Sequence, residues 1–284
     1  MPEGSPRRSP GCLRGMGQGL RRLVSVLSIC LSPVSWAADP ALVFGVLNQQ
    51  SPIRTAEKWN PILNYLGART GIPLRLAMGP SVAATNAMMA RGEFDLAFTN
   101  HNFQSPYDGT YQVVARWGGE PIRGMIVVPE ASPVQSLKDL QGRVVAFPSE
   151  DAFLAYAVPV LALRDAGVSV TERFSGNQEG ALARLHTGGA EAAAVNSRFL
   201  ETYAQRERAR FRTLYASEPY QELPVLIHPR VSSDRARRLV SALLGMRHDP
   251  AAAEVLRQAQ CPGFEPASER DYDNVRRVYR AIGK

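Results

Sequence analysis

A repeated step constrains this chain more than any other feature. Gly92-Glu-Phe-Asp95-Leu-Ala97 runs on to Asn100, and Gly188-Gly-Ala-Glu191-Ala-Ala193 runs on to Asn196, each asparagine eight residues after its glycine. In both copies the glycine is placed to end a helical segment in the left-handed C-cap conformation, and the apolar residues after it have strand length. The flanking segments repeat in the same order. In the first half, strand 42–47 leads through a polar loop at 48–52 to a helix over 56–69, with Pro61 in its first turn or at a break. Gly71 stops that helix, and strand 72–77, helix 82–90 and strand 95–99 follow. In the second half the order is strand 143–147, loop 148–151, helix 152–166 stopped by Gly167, strand 168–173, helix 180–186 and strand 192–195. A helix-glycine-strand joint is common in α/β proteins. The same order in both halves implies more: two similar α/β lobes, each a small, mostly parallel sheet flanked by helices.

Between the copies, 112–116 and 124–128 read as a strand pair, leading through Pro129 and Pro133 into Leu137-Lys-Asp-Leu-Gln-Gly142. Near residue 217 the chain returns, with a strand at 223–228 and helices over 233–246, 250–259 and 271–281. The expected division is residues 38–130 with 217–284 as lobe one, and 131–216 as lobe two. A lobe that both starts and ends the chain implies two linkers side by side, a geometry that permits hinge closure over a cleft.

Residues 1–37 read as a secretory signal. Arg21-Arg22 precedes a short apolar run at 23–31, and Ser35-Trp36-Ala37 supplies a small-x-small site with cleavage between Ala37 and Ala38. A membrane span needs about 20 apolar residues, and neither this run nor any later one reaches that length. Met16 would begin a more ordinary signal than the Pro/Gly/Arg-rich preface before it. Twin-arginine and lipoprotein signals fit less well: the polar surroundings of the first are missing, and Ile29 is bulky before Cys30. Charge follows the same division. The formal net charge is +7, of which five arginines and one glutamate in 1–37 supply +4. The remaining +3 is an ordinary surface balance and no case for nucleic acid. After cleavage one thiol is left, Cys261, which reads as a small, partly buried residue.

Several phrases carry a family resemblance. Trp59-Asn-Pro-Ile-Leu-Asn-Tyr-Leu66, Arg91-Gly-Glu-Phe-Asp-Leu-Ala97, Ser136-Leu-Lys-Asp-Leu-Gln-Gly-Arg-Val-Val-Ala146, Phe174-Ser-Gly176 and Glu191-Ala-Ala-Ala-Val195 occur in an order that resembles the phosphate/phosphite/phosphonate-type periplasmic substrate-binding proteins of ABC transporters. The resemblance covers about residues 42–281. It implies a two-lobed type II periplasmic-binding fold and a solute held between the lobes. It also implies a periplasmic location, and as partner an ABC permease or the outer domain of a membrane sensor kinase. A monomer with no cofactor, no stable membrane insertion and no nucleic-acid partner is expected.

The chain departs from the family at the loop after strand 143–147. The phosphonate binders carry a Ser/Thr-rich loop there that opens a helix onto an oxyanion. Here one hydroxyl, Ser149, is followed by two carboxylates, Glu150 and Asp151. The next loop has Asn177-Gln178 where the family often has a histidine, and strand 192–195 leads to Asn196 rather than an acid. A small neutral or cationic polar solute is therefore expected in place of a phosphonate. In a parallel sheet the ligand lies beyond the carboxyl ends of the strands. That rule selects Gln49, Ser51, Ser81, Asn100 and His101 in lobe one, and Ser149, Glu150, Asp151, Gln178 and Asn196 in lobe two, with Asn100 and Asn196 facing across the cleft. Ser149–Asp151 has two readings: a helix N-cap with acids in the first turn, or a receiver for a cationic or hydroxylated ligand group. No His-Glu-x-x-His, Gly-x-Ser-x-Gly or P-loop is present, and the four histidines lack metal-ligand spacing. Neither a catalytic residue nor a metal site is expected. A secreted enzyme would have to use Glu150, Asp151 and His101. The run Arg206–Arg212 reads as a solvated face.

Overall fold

The computed structural model describes residues 40–47, 51–104 and 108–284. The leader over 1–37, its cleavage point, the alternative start at Met16 and the loop residue Gln49 lie outside the described residues. Strand β1 (Leu42–Val46), helix α1 (Pro52–Thr70), β2 (Leu74–Ala77), α2 (Val82–Ala90) and β3 (Leu96–Phe98) follow the expected order. Next come β4 (Gln112–Trp117), β5 (Gly124–Pro129), β6 (Val144–Phe147), and a π-helical turn over Phe153–Ala157 that runs into α3 (Val158–Asp165). Then come β7 (Thr171–Phe174), α4 (Gln178–His186), β8 (Ala192–Asn196), α5 (Ser197–Glu207) and β9 (Phe211–Ala216). The chain closes with β10 (Pro224–Ile227), α6 (Ser233–Gly245), α7 (Ala253–Gln258), β11 (Phe264–Glu265) and α8 (Asp273–Ile282).

Helix α1 starts one turn earlier than its sequence suggests. Ser51 caps it, Pro52 occupies the first turn and Pro61 sits inside. An interior proline costs about 3 kcal/mol in helix propensity. Burial of Trp59, Ile62, Leu63 and Leu66 on one face of the same helix offsets that cost. The two glycines of the repeat behave as read: Gly92 and Gly188 hold φ of 67° and 75°, open to glycine at little cost.

Among the described residues eleven strands form two sheets, ordered β11-β4-β10-β3-β1-β2 and β7-β6-β8-β5-β9. Each sheet is built on a parallel trio, β2-β1-β3 in the first and β7-β6-β8 in the second. Antiparallel strands continue each trio, β10 and β4 in one and β5 and β9 in the other, so both sheets are mixed. The duplication read from the repeated step thus extends through five strands. Strands β4 and β5, expected to pair, lie in different sheets; β5 joins the second, although residues up to 130 were expected to stay with lobe one. The reason is topological. A strand that leaves the first sheet must enter the second before the β6–β8 unit can be built on it.

The chain crosses outward between Trp117 and Gly124 and returns between Ala216 and Pro224. The two crossings run side by side, bridged at Ile122 and Tyr220 by N–H···O bonds of 2.9 and 2.8 Å. The first core stacks Trp59 against Phe98 at 4.7 Å and Phe44 at 5.1 Å. The second sheet has a core on each face. A further cluster joins the two halves: Phe153, Leu154, Ala157 and Val158 bury with Phe103, Tyr220, Tyr272 and the α8 residues Val275, Val278 and Tyr279. The C-terminal helix therefore packs on the second half as well as the first.

Candidate functional site

The sheets point the carboxyl ends of their parallel trios toward the crossings. Beyond those ends, most of the amide and hydroxyl groups singled out from the sequence are taken up by the backbone. Ser51 accepts from the Arg54 N–H at 3.4 Å and Ser81 from the Ala84 N–H at 3.2 Å. Asn177 caps α4 by accepting from Gly180 at 2.8 Å, and Asn196 caps α5 by accepting from Phe199 at 2.8 Å. Gln178 turns back so that its Oε1 accepts the Asn196 N–H at 2.7 Å. Caps of this kind stabilise a helix by about 1 kcal/mol each. They also occupy the N-terminal N–H groups that an anion would otherwise bind. Asn100 is half-buried at the end of β3, where its carbonyl accepts from the Asn102 N–H at 2.7 Å.

His101 lies in the contact between the halves rather than open to a solute. It is 1% exposed, its ring 5.1 Å from Phe153 and 5.9 Å from Tyr272. Its Nε2–H donates to the carbonyl of Gln221 in the return crossing at 2.7 Å. Burial holds its pKa down at about 4, against a weaker upward pull from that bond. Phe153 fills the space beside it, 4.9 Å from Tyr220 and 5.2 Å from Tyr279.

Ser149, Glu150 and Asp151 do not cap the helix that follows them. Its N-cap is Ala152, which has no side-chain cap bond, and Ser149 lies three residues outside, its carbonyl closing a turn onto the Ala152 N–H at 3.3 Å. The helix opens as a π turn because Phe153 and Leu154 are drawn into the cluster between the halves. Glu150 is exposed, and its backbone oxygen accepts from the Lys284 ammonium at 3.0 Å. The side chains of all three residues make no hydrogen bond or ion pair among the described residues. They are the part of the selected set still open to a solute.

Sequence reasoning passed over three charged residues that the fold brings to the crossings. Arg198, in the first turn of α5, contacts the Glu222 carboxylate at 2.5 Å and the Glu120 carbonyl at 3.4 Å. Glu222 sits in the return crossing with its side chain 3% exposed. Burial raises its pKa, with Arg198 the main opposing influence. Lys58 of α1 places its ammonium 4.4 Å over the ring of Trp117, at the start of the outward crossing. Burial lowers its pKa, and the charged side chains of Arg198 and Glu222 are among its neighbours. Lys58 lies 140 positions from Arg198 and 164 from Glu222 in sequence, and no local pattern announces the group.

Among the described residues no group of His, Cys, Asp and Glu is arranged to hold a metal ion, and no helix is long and apolar enough to cross a membrane. The Arg206–Arg212 run is a surface tied down by its own partners. Arg206 pairs with Glu179 at 2.5 Å and Glu207 at 2.7 Å, and Arg212 donates to the carbonyls of Ser132 and Val134 at 2.7 and 2.5 Å.

Solved structures share the fold. A Prochlorococcus marinus (MIT 9301) protein in complex with methylphosphonate matches with a TM-score of 0.75 at 17% identity, covering 86% of this chain and 98% of that one. A Xanthomonas citri protein solved with chloride matches at 0.73 and 19%, covering 85% and 97%. A binding protein component of an ABC phosphonate transporter from Pseudomonas aeruginosa matches at 0.72 and 16%, covering 84% and 85%. Two sheets joined by paired crossings, with strand-end loops turned toward them, are the architecture of a type II periplasmic binding protein. The family model "ABC transporter, phosphonate, periplasmic substrate-binding protein" matches residues 44–272, and this chain belongs to that family.

Proposed function

We propose that this solute-binding protein closes over one small polar molecule whose cationic or hydroxyl-bearing end meets Ser149, Glu150 and Asp151, and that phosphate and simple alkylphosphonates are not its ligands. The family role is to bind a solute and present it to an ABC permease. The ligand class rests on one observation: in the loop that opens toward the crossings, the unengaged side chains are one hydroxyl and two carboxylates. At an effective dielectric of about 20, each carboxylate within 4 Å of an anionic ligand opposes it by about 4 kcal/mol. The helix behind the loop is no compensating cradle, because it opens as a π turn with Phe153 and Leu154 buried. In this reading the paired crossings are the hinge, β5 to β9 form the moving lobe, and the leader is removed after Ala37.

Calorimetric titration of ligand-free protein with phosphate, phosphite and methylphosphonate tests the ligand class. No heat of tight binding is expected. A submicromolar dissociation constant for any of the three would overturn it. Intact mass of periplasmic material tests the leader, with Ala38 the expected first residue.

A further inference from the structure

The charged group at the crossings has an unusual balance. Lys58 is one of only three lysines among the 33 Lys and Arg of the chain. It is half-buried, and its ammonium meets only the face of Trp117: it makes no hydrogen bond or ion pair among the described residues. A desolvated ammonium has three donors to satisfy, and an aromatic face satisfies none of them as a hydrogen-bond acceptor. Arg198 is held by Glu222 and Glu120, yet 44% of its side chain is exposed, which leaves part of its fork of N–H donors open. Arg116, the other cation that Glu222 senses, is already in contact with Glu265. Arg198 pairs with the one buried carboxylate, Glu222, and Lys58 has no ion-pair partner among the described residues, which leaves a surplus of one positive charge.

Their positions are as informative as their charge. Lys58 belongs to the first sheet's helix α1, Arg198 to the second sheet's helix α5, and Glu222 to the return crossing between them. Gly119 in the outward crossing holds φ at 115°, and a side chain there would crowd the Arg198 guanidinium, so the backbone leaves that approach clear.

We propose that Lys58 and Arg198 together receive a carboxylate of the bound solute beside the hinge, with Glu222 holding Arg198 in place, which makes the solute a small amino carboxylate with its ammonium toward Ser149–Asp151. The inference deepens the interlobe site proposed above and rests on it. A surplus of one positive charge matches a monoanionic carboxylate better than a phosphonate dianion, which would bring a second negative charge beside buried Glu222. Contact with a cation from each half also ties ligand binding to closure, since neither cation alone completes the site.

The probes are glycine, β-alanine and γ-aminobutyrate, each compared with its primary amide, in calorimetric titrations of the ligand-free protein. At least one amino carboxylate should bind with a dissociation constant below about 10 μM, a free energy of roughly −7 kcal/mol, and its amide at least 100-fold more weakly. Lys58→Met and Arg198→Met should each weaken that carboxylate tenfold or more. Lys138→Met, on an exposed surface, should not. A second measurement does not depend on the variants' folding. With the lysines labelled as 13C-dimethyl groups, the Lys58 resonance should titrate below the ordinary lysine value, and saturating carboxylate should raise its midpoint. Equal affinity for acid and amide, or no binding by any of the three acids, would overturn the inference. The solute-binding reading stands or falls separately, on whether native mass spectrometry of periplasmic protein shows a retained small molecule and whether that molecule carries a phospho group.

Discussion

Acid should unfold this protein through His101 before its carboxylates matter. The imidazole is buried against Phe153 and Tyr272, with one N–H on the Gln221 carbonyl, and its pKa is held down at about 4. In the unfolded chain the same ring takes up a proton near 6.5. The folded pKa lies below the unfolded one, so the neutral ring's stabilising contribution is fully present above about pH 6.5 and is lost as pH falls toward 4. At about 1.4 kcal/mol per pH unit, the drop to pH 4.5 is worth roughly 2–3 kcal/mol, a large fraction of a typical folding free energy. His101→Gln retains a donor for the Gln221 carbonyl and removes the titration. Urea unfolding of both proteins should be followed at pH 7.5, 6.0, 5.0 and 4.5. The variant should be less stable at pH 7.5, by about 1–3 kcal/mol for lost ring packing. The difference should shrink by roughly 2–3 kcal/mol by pH 4.5. His228, whose pKa burial also lowers, is common to both proteins and cancels. Parallel stability curves across this range would refute the assignment of the acid sensitivity to His101.

Three further outcomes follow from the geometry. A methyl group at Gly124 would drive into the Leu154 carbonyl at the start of the second sheet, so Gly124→Ala should cost about 1–3 kcal/mol in thermal unfolding, and an unchanged midpoint would contradict the close approach. Asn196→Ala removes the α5 cap and should cost about 1 kcal/mol in chemical denaturation; no loss would mean the Phe199 N–H finds another acceptor. Cys261 is 7% exposed, with its thiol pushed up to about 12 by burial, so a thiol reagent at pH 8 should label the native protein far more slowly than the urea-unfolded chain, and comparable rates would refute its burial.

The local code of this chain is legible one segment at a time. Gly71, Gly92, Gly167 and Gly188 mark helix ends and all hold positive φ. The apolar runs that became β1, β6, β8 and β10 were visible because a strand buried on both faces needs continuous apolar sequence. Helix α2 was read to the residue, and the step from glycine to Asn100 and Asn196 carried the duplication that the sheet orders bear out. Helix α1 was read short because Pro61 is a strong local breaker, and only the packing of Trp59 and its neighbours overrules it.

What tertiary structure decided is everything that depends on which strand lies beside which. β5 left its sequence neighbour β4 for β8 and β9, because strand pairing is settled by sheet topology rather than by adjacency in the chain. Ser149–Asp151 has the composition of an N-cap, yet burial of Phe153 and Leu154 moved the helix start past it and left its side chains open. His101 looked like a loop residue facing a ligand until the π turn and α8 closed over it. Lys58, Arg198 and Glu222 carried no signal at all, since isolated charges on a helix or loop are ordinary in sequence. Their meaning comes from long-range electrostatics at low dielectric, which requires burial and proximity. Only the crossing of the chain between two sheets supplies both.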